Sequence, residues 1–108
     1  MTQSTIATDQ ELITLINVFT VTPESQAKLV DLLVAATQEV MQHQPGFISA
    51  NIHASLDGSK VVNYAQWRSP ADFEAMLANP AAQEHMGPAY TLATVEPNLY
   101  TVASVHHI

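Results

Sequence analysis

The fold is decided by the stretch Ile52–Trp67, which reads IHASLDGSKVVNYAQW. Asp57-Gly58 separates two runs that favour extended structure, and this dipeptide predicts a β-hairpin because glycine readily adopts the positive φ that the turn needs. Side chains alternate along the second run, so Asn63 and Trp67 point to the same face of the strand. An amide and an indole, each able to donate a hydrogen bond, therefore point in one direction.

The position of His53 depends on the length of the hairpin loop. A two-residue loop sets Ile52 opposite Asn63 and turns His53 to the other face, whereas a three-residue loop sets His53 opposite Asn63. A shift of one residue reverses every side chain of a strand, so the pattern leaves both registers open. A half-buried strand whose polar groups bond to their neighbours is the third interpretation of the same residues.

The length and the charge of the chain limit the classes of protein to which it can belong. The 108 residues suit one domain, which we place at residues 12–108 behind a flexible N-terminal tail at residues 1–11. Only 12% of the residues are charged, which favours an oligomer, and the net charge of −7 argues against binding to nucleic acid or anionic membranes. Met1 to Gln10 lack the basic start and apolar block of a signal peptide, and there is no apolar run of membrane-spanning length, so we expect a cytoplasmic protein.

The remaining elements follow from capping signals and hydrophobic spacing. Thr22-Pro23-Glu24 predicts the start of a helix that ends near Gln42, and Ser69-Pro70 predicts the start of a second helix. The other predicted elements are a strand over 12–21, hairpin strands over 47–56 and 60–67, a helical turn over 81–85, a loop from 87 and a strand over 99–105.

This order, β-α-β-β-α-β, predicts an α+β fold of the ferredoxin-like type. Its antiparallel sheet carries both helices on one face and leaves the other face bare. In the first strand, Asn17 is the only polar member of an otherwise apolar row. A buried amide needs a partner, which is either a neighbouring backbone group or a ligand.

Several motifs resemble the antibiotic biosynthesis monooxygenase family. They are Pro45-Gly46-Phe47, His53-Ala54-Ser55, Asp57-Gly58 and Val62–Trp67, within a likeness that spans Leu12 to Pro88. The resemblance implies a dimeric α+β barrel, in which a second copy covers the bare face of the sheet. It also implies a cofactor-independent monooxygenase of polyketide antibiotic biosynthesis, with no metal, that uses dioxygen to convert an anthrone-, phenol- or quinol-type aromatic substrate to a quinone.

The resemblance also implies roles for particular residues. Asn63 and Trp67 would hold the substrate oxygen as its negative charge develops, with Asn17 implicated in activity and His53 as a proton acceptor or relay. Phe73 stands where relatives carry a tyrosine, so either Tyr64, Tyr90 or water replaces the missing hydroxyl, or the substrate differs. The residues expected to contact the substrate are Tyr64, Phe73, Met76, Tyr90 and His85.

Three other functions fit the same fold. Haem degradation is suggested by His85, near the place of an axial ligand, although Met76 stands where such relatives carry a tryptophan. An isomerase or dehydratase of cyclic substrates would work without oxygen. A non-catalytic dimeric binding or stress protein is the third, because a fold does not imply a function. The pair His106-His107 is a weak metal signal, since adjacent strand residues face opposite ways.

Overall fold

The computed structural model describes residues 2–108. One antiparallel sheet, in the order β2-β3-β1-β4, is built from β1 (Ile13–Thr20), β2 (Phe47–Ala54), β3 (Lys60–Trp67) and β4 (Thr94–Tyr100). The helices are α1 (Gln26–Glu39), a 3-10 turn (Met41–His43), α2 (Pro70–Leu77) and α3 (Pro80–Leu92). This is the predicted ferredoxin-like α+β arrangement, with a third helix where only a turn was expected.

The hairpin settles the position of His53. Ile52 lies opposite Asn63, and His53 lies opposite Val62. This is the register of the first alternative, so the alternative that brings His53 to the face of Asn63 is wrong. The reason is the length of the loop: residues 56–59 separate Ser55 from its partner across the hairpin, and an even-numbered loop keeps Ile52 on the face of Asn63.

The loop itself is held by a carboxylate. The Ser55 N–H donates to the Lys60 carbonyl at 2.9 Å, and Gly58 takes a φ of +80°. Asp57 Oδ1 accepts from the Ser59 N–H, the Ser59 hydroxyl and the Ser55 hydroxyl at 2.9, 2.7 and 2.9 Å. These bonds, led by the backbone N–H of Ser59, lower the pKa of Asp57 to about 2.

The first helix begins later than the sequence predicts. Ser25, not Thr22, is the N-cap residue, and the Thr22 carbonyl accepts from the Ser25 N–H at 3.0 Å in a preceding turn. The amide of Gln26 explains this position because it donates to the carbonyls of Ser55 and Lys60, both at 3.0 Å. The start of α1 is thereby attached to the hairpin.

The third helix runs through Gly87-Pro88, where a loop was predicted. A proline inside a helix removes a hydrogen bond and costs roughly 3 kcal/mol. Ala82 and Ala89, seven residues apart on the same helix face, are both buried in the core, and their burial favours a continuous helix despite that cost. The prediction of a loop from Gly87 is therefore wrong.

The last strand also differs from its prediction, since it begins at Thr94 rather than Leu99 and ends at Tyr100. Pro97 lies inside it, opposite Asn17. A proline is tolerated there because β4 is an edge strand and pairs only with β1. Residues 101–108 form no helix or strand.

The two faces of the sheet have different surroundings. The helices cover the face that carries Leu15, Phe19 and Trp67, and two clusters of buried apolar residues fill the space between. On the opposite face, within the segment predicted as a tail, the Ser4 hydroxyl donates to Asn51 at 2.8 Å and the Thr5 carbonyl accepts from the Gln66 amide at 2.7 Å. Among the helices of residues 2–108, none combines the length and the apolar character needed to span a bilayer.

Candidate functional site

A cavity of about 290 Å³ lies between the helices and the sheet. Its floor is the helix-facing side of all four strands, and its walls come from α1, α2 and α3. Apolar side chains dominate, among them Phe19, Met41 and Phe73. The polar and ionisable side chains in the lining are Asn17, Thr37, Asn63, Trp67, Tyr90 and Asn98.

Two asparagines form the polar part of the floor. Asn17 of β1 lies directly opposite Asn63 of β3, and such facing residues have Cβ atoms about 4.5–5.5 Å apart. The side-chain oxygen of each is buried, and neither has a hydrogen-bond partner among residues 2–108. A buried amide without a partner is unfavourable by about 1–3 kcal/mol. Both amides face the cavity, which makes them available to a polar ligand group.

Trp67, four residues further along β3 on the same face, is held by aromatic contacts. Only 2% of its surface is exposed, and its ring meets Phe47 edge-on with centroids 5.5 Å apart and Phe73 at 6.1 Å. Phe73 is positioned by the start of α2, where the Ser69 hydroxyl accepts from the Asp72 N–H at 3.2 Å. The indole therefore lines the cavity in one orientation.

The start of α2 is fixed to the start of β2 by a close backbone approach. The Arg68 N–H donates to the Gly46 carbonyl at 2.7 Å, and Gly46 has a φ of +83°. A Cβ atom at Gly46 would collide with the side chain of Asp72. That carboxylate pairs with the Arg68 guanidinium at 2.7 Å, which lowers the pKa of Asp72. Only glycine fits at position 46, in the motif that precedes Phe47.

The cavity gathers some of the predicted site residues and not others. Asn17, Asn63, Trp67, Phe73, Met76 and Tyr90 line it. His53, Tyr64 and His85 do not, and the geometry gives a separate reason for each.

Tyr64 and His53 lie on the other face of the sheet. Tyr64 stands opposite Ile16, one residue from Asn63 and therefore on the reverse side of β3, and its hydroxyl is buried without a partner among residues 2–108. His53 is exposed, and its Nδ1 lies 2.9 Å from the Asn51 carbonyl. Neither Tyr64 nor His53 lines this cavity, so the roles predicted for them in substrate contact and proton transfer have no support from its geometry.

His85 lies on the outer side of α3. Its Nδ1 is 2.9 Å from the Ala81 carbonyl and its Nε2 is 2.8 Å from Glu39 Oε2. The bond to the Ala81 carbonyl and the pairing with Glu39 raise the pKa of His85 above its ordinary value. Both ring nitrogens are within hydrogen-bond distance of a partner and His85 does not line the cavity, so its contact with a substrate stays a prediction that this geometry does not support.

Sequence reasoning missed much of the cavity wall. The lining also includes Thr37 near the end of α1, Met41 in the 3-10 turn, Met86 on α3, and Pro97 and Leu99 on β4. The helical spacing of α1 and the alternation of β4 were visible, but they do not distinguish a cavity wall from a packed core. Residues 2–108 contain no group of three histidine, aspartate or glutamate side chains placed to hold a metal ion.

Comparison with known proteins identifies the family of this chain. The sequence profile of the family described as antibiotic biosynthesis monooxygenase matches residues 12–87. The chain belongs to this family. The match covers all of the hairpin, the helix α2 that carries Phe73, and the part of α3 that carries Met86.

The relatives of this chain include a named enzyme and several proteins of known structure. The chain is 49% identical over 94 residues to tetracenomycin-F1 monooxygenase of Streptomyces glaucescens, covering 87% of this chain and 84% of that protein. The oxygenase ActVA-Orf6 of Streptomyces coelicolor, solved with the ligand nanaomycin D, is 32% identical with a TM-score of 0.79, covering 89% of this chain and 91% of that one.

A third relative is SnoaB of Streptomyces nogalater, described as a cofactor-independent oxygenase. An N→A mutant of it is 25% identical with a TM-score of 0.79, over 89% of this chain and 97% of that one. The predictions of an α+β ferredoxin-like fold and of a monooxygenase are therefore confirmed.

Proposed function

We propose that the protein oxidises an anthrone-, phenol- or quinol-type aromatic substrate to a quinone with dioxygen, without a cofactor. The observation that carries this proposal is the Asn17–Asn63 pair, two amides whose buried side-chain oxygens have no partner among residues 2–108, on the floor of a mainly apolar cavity. Such a cavity suits a flat aromatic molecule with a few oxygen atoms at one edge. The names of the relatives, a monooxygenase and two oxygenases, support a reaction with dioxygen.

The first task of the site is to make the substrate acidic. Loss of a proton from an anthrone C–H or a phenol O–H leaves an enolate or phenolate whose charge lies mainly on oxygen. The Nδ2–H groups of Asn17 and Asn63 and the Trp67 indole N–H can donate to that oxygen. Donors that are fixed in an apolar, water-poor site stabilise developing charge more strongly than water does, because they need no reorganisation.

The second step is the reaction with dioxygen. The electron-rich anion gives one electron to dioxygen, and the resulting radical pair combines into a carbon-bound peroxide. Protonation gives a hydroperoxide, R₂CH–O–OH. Loss of its C–H proton and cleavage of the O–O bond with departure of hydroxide, which is protonated to water, gives the ketone. In total, R₂CH₂ and O₂ become R₂C=O and H₂O, and the substrate supplies all four electrons.

Proton transfers in this sequence involve few groups of the protein. Tyr90 is the ionisable side chain that lines the cavity, and it is 51% exposed, so its hydroxyl can exchange protons with bulk water. The Thr37 hydroxyl donates to the Leu33 carbonyl at 2.7 Å. Of the two tyrosines considered as replacements for the hydroxyl missing at Phe73, Tyr90 is the one at the cavity, and we assign it to donate the proton to the departing hydroxide.

We also propose that two copies pair through the bare face of the sheet. This face carries Ile16, Val18 and Val62, while Tyr100 at the exposed edge of β4 is 45% exposed. A second sheet would cover these groups and form the dimeric barrel implied by the family. The low charge content of the chain is consistent with such an interface.

Oxygen uptake tests the activity most directly. Purified protein is mixed with anthrone, with a hydroquinone and with a simple phenol in an oxygen-electrode cell, and the quinone is followed by its absorbance. We expect equal amounts of oxygen consumed and quinone formed from anthrone, above the rate without protein and unaffected by a chelator. A protein that binds anthrone without consuming oxygen would instead indicate a binding protein.

A further inference from the structure

The turn at residues 44–46, which leads into β2, is attached to both ends of α2. At the start of α2 the side chain of Asp72 lies against Gly46, where a Cβ atom would collide with it. Directly after the end of α2, the amide of Asn79 donates to the side-chain oxygen of Gln44 at 3.2 Å. The turn is therefore fixed at two points, one at each end of the helix.

An ion pair holds Asp72 against the turn. Nε and Nη2 of Arg68 donate to its two carboxylate oxygens at 2.7 and 2.9 Å, and the Ser69 hydroxyl donates to Oδ2 at 3.0 Å. A two-point contact between guanidinium and carboxylate fixes the plane of both groups. The backbone N–H of Arg68 also donates to the Gly46 carbonyl at 2.7 Å. Arg68 thus joins the turn to α2 through both its backbone and its side chain.

The elements joined in this way carry the two rings that contact Trp67. Phe47 directly follows the turn, and Phe73 directly follows Asp72. Their ring centroids lie 5.5 and 6.1 Å from that of Trp67, with interplanar angles of 89° and 65°. Because buried rings are closely packed, a shift of either phenylalanine changes the direction of the indole N–H.

We propose that Asp72 and Asn79 are positioning residues of the monooxygenase, which fix the direction of the Trp67 indole N–H. Neither of them lines the cavity, so each acts only through the turn and the two phenylalanine rings. The effect on rate rests on the proposed function, in which the indole donates to the substrate oxygen. A donor that is already aligned needs no reorganisation as charge develops, and a small displacement of it slows the reaction.

Breaking the contact at each end of α2 tests the proposal. Asp72→Asn keeps the size of the side chain but loses the charge and the two-point contact with Arg68. Asn79→Asp keeps the oxygen that accepts from the Ala81 N–H at 2.8 Å at the start of α3, but it cannot donate to Gln44. Arg68→Lys, which keeps the charge and donates from one nitrogen, is a milder second variant for the first contact.

The readout is the near-ultraviolet circular dichroism of Trp67, the single tryptophan of the chain, together with kcat and KM for anthrone. Aromatic bands in this region disappear when fixed packing is lost, so they report how the ring is held. Glu39→Gln, which breaks the ion pair with His85, is the matched control, since neither residue lines the cavity.

We expect Asp72→Asn and Asn79→Asp each to alter the Trp67 bands and to lower kcat by about 10-fold with little change in KM, because the indole acts on charge that develops during the reaction. Glu39→Gln should match wild type in both measurements.

A lower melting temperature with wild-type Trp67 bands and a wild-type kcat per folded molecule would overturn the proposal and leave these contacts a purely structural role. Altered bands with an unchanged kcat would overturn it as well. If wild type does not oxidise anthrone, the proposed function is wrong and the spectra alone decide: altered bands support the positioning of the indole, and wild-type bands overturn it.

Discussion

Asn17 and Asn63 face each other across β1 and β3, and both leave a buried side-chain oxygen without a partner among residues 2–108. Each is surrounded along its own strand by apolar residues that pack in the core, such as Leu15 and Ala65. Stability alone would favour apolar side chains at both positions. We propose that the pair serves to bind a polar group of the substrate, and the following predictions start from it.

Replacement of Trp67 by phenylalanine separates chemistry from packing. Trp67→Phe keeps an aromatic ring between Phe47 and Phe73 but deletes the indole N–H. We expect slower turnover per folded molecule, together with a loss of roughly 1–3 kcal/mol in the free energy of unfolding from poorer packing. Oxygen-uptake rates beside thermal melts distinguish the two effects. A normal rate per folded molecule with a lowered melting temperature would make Trp67 a purely structural residue.

Tyr90→Phe tests the proton donor. Removal of the hydroxyl should slow quinone formation by about 10²-fold or more, the usual contribution of a general acid, and should allow the hydroperoxide to accumulate. Rapid sampling with a peroxide assay detects the intermediate, and Tyr100→Phe, at an exposed tyrosine that does not line the cavity, is the control. If Tyr90→Phe forms quinone at the wild-type rate and no peroxide accumulates, Tyr90 does not donate the proton.

His85 predicts a pH dependence of stability. Its pKa is raised in the folded protein, so protonation stabilises the fold fully below the ordinary value of 6.5, and this stabilisation disappears as the pH rises through the higher folded value. We expect the melting temperature of wild type to exceed that of His85→Gln at pH 6 and to match it at pH 9. His43→Gln, at an exposed ring that contacts only the Gln38 carbonyl, is the control. A pH-independent difference would contradict the assignment.

The association state follows from the bare face of the sheet. Light scattering at micromolar concentration should give twice the mass of one chain. Tyr100→Glu, which places a charge at the exposed edge of that face, should shift the mass toward the monomer. A monomer mass for wild type would show that the sheet face stays open or is covered by the chain's own N-terminal residues.

Local signals in the sequence were sufficient to predict the hairpin of the sheet. They were insufficient to predict its register and the limits of α3 and β4. Asp57-Gly58 and the alternation after it predicted the hairpin, but the register depends on the bonds of the Asp57 carboxylate, which spacing alone does not show. The helix through Pro88 and the strand through Pro97 were missed because tertiary burial and an edge position override the local preference of proline.

The same limit applies to the site. Alternation placed Asn63 with Trp67 and marked Asn17 as exceptional, and the structure brings all three to one cavity. Tyr64 and His85 resembled ligands by residue type, yet one lies on the reverse face of its strand and the other on the outer side of its helix. Residue type predicts chemistry, whereas facing direction depends on register and on packing between elements.

The rate of oxygen uptake by Asn63→Ala, measured with anthrone and corrected for the folded fraction, tests the central claim most directly. Asn51→Ala is the matched control, since that asparagine lies on the other face of the sheet, where its amide donates to the Tyr64 carbonyl at 2.9 Å. We expect Asn63→Ala to lower the rate by about 10²–10³, as for the loss of one oxyanion donor, and Asn17→Ala to lower it as well. Turnover by Asn63→Ala at the rate of Asn51→Ala would contradict the account.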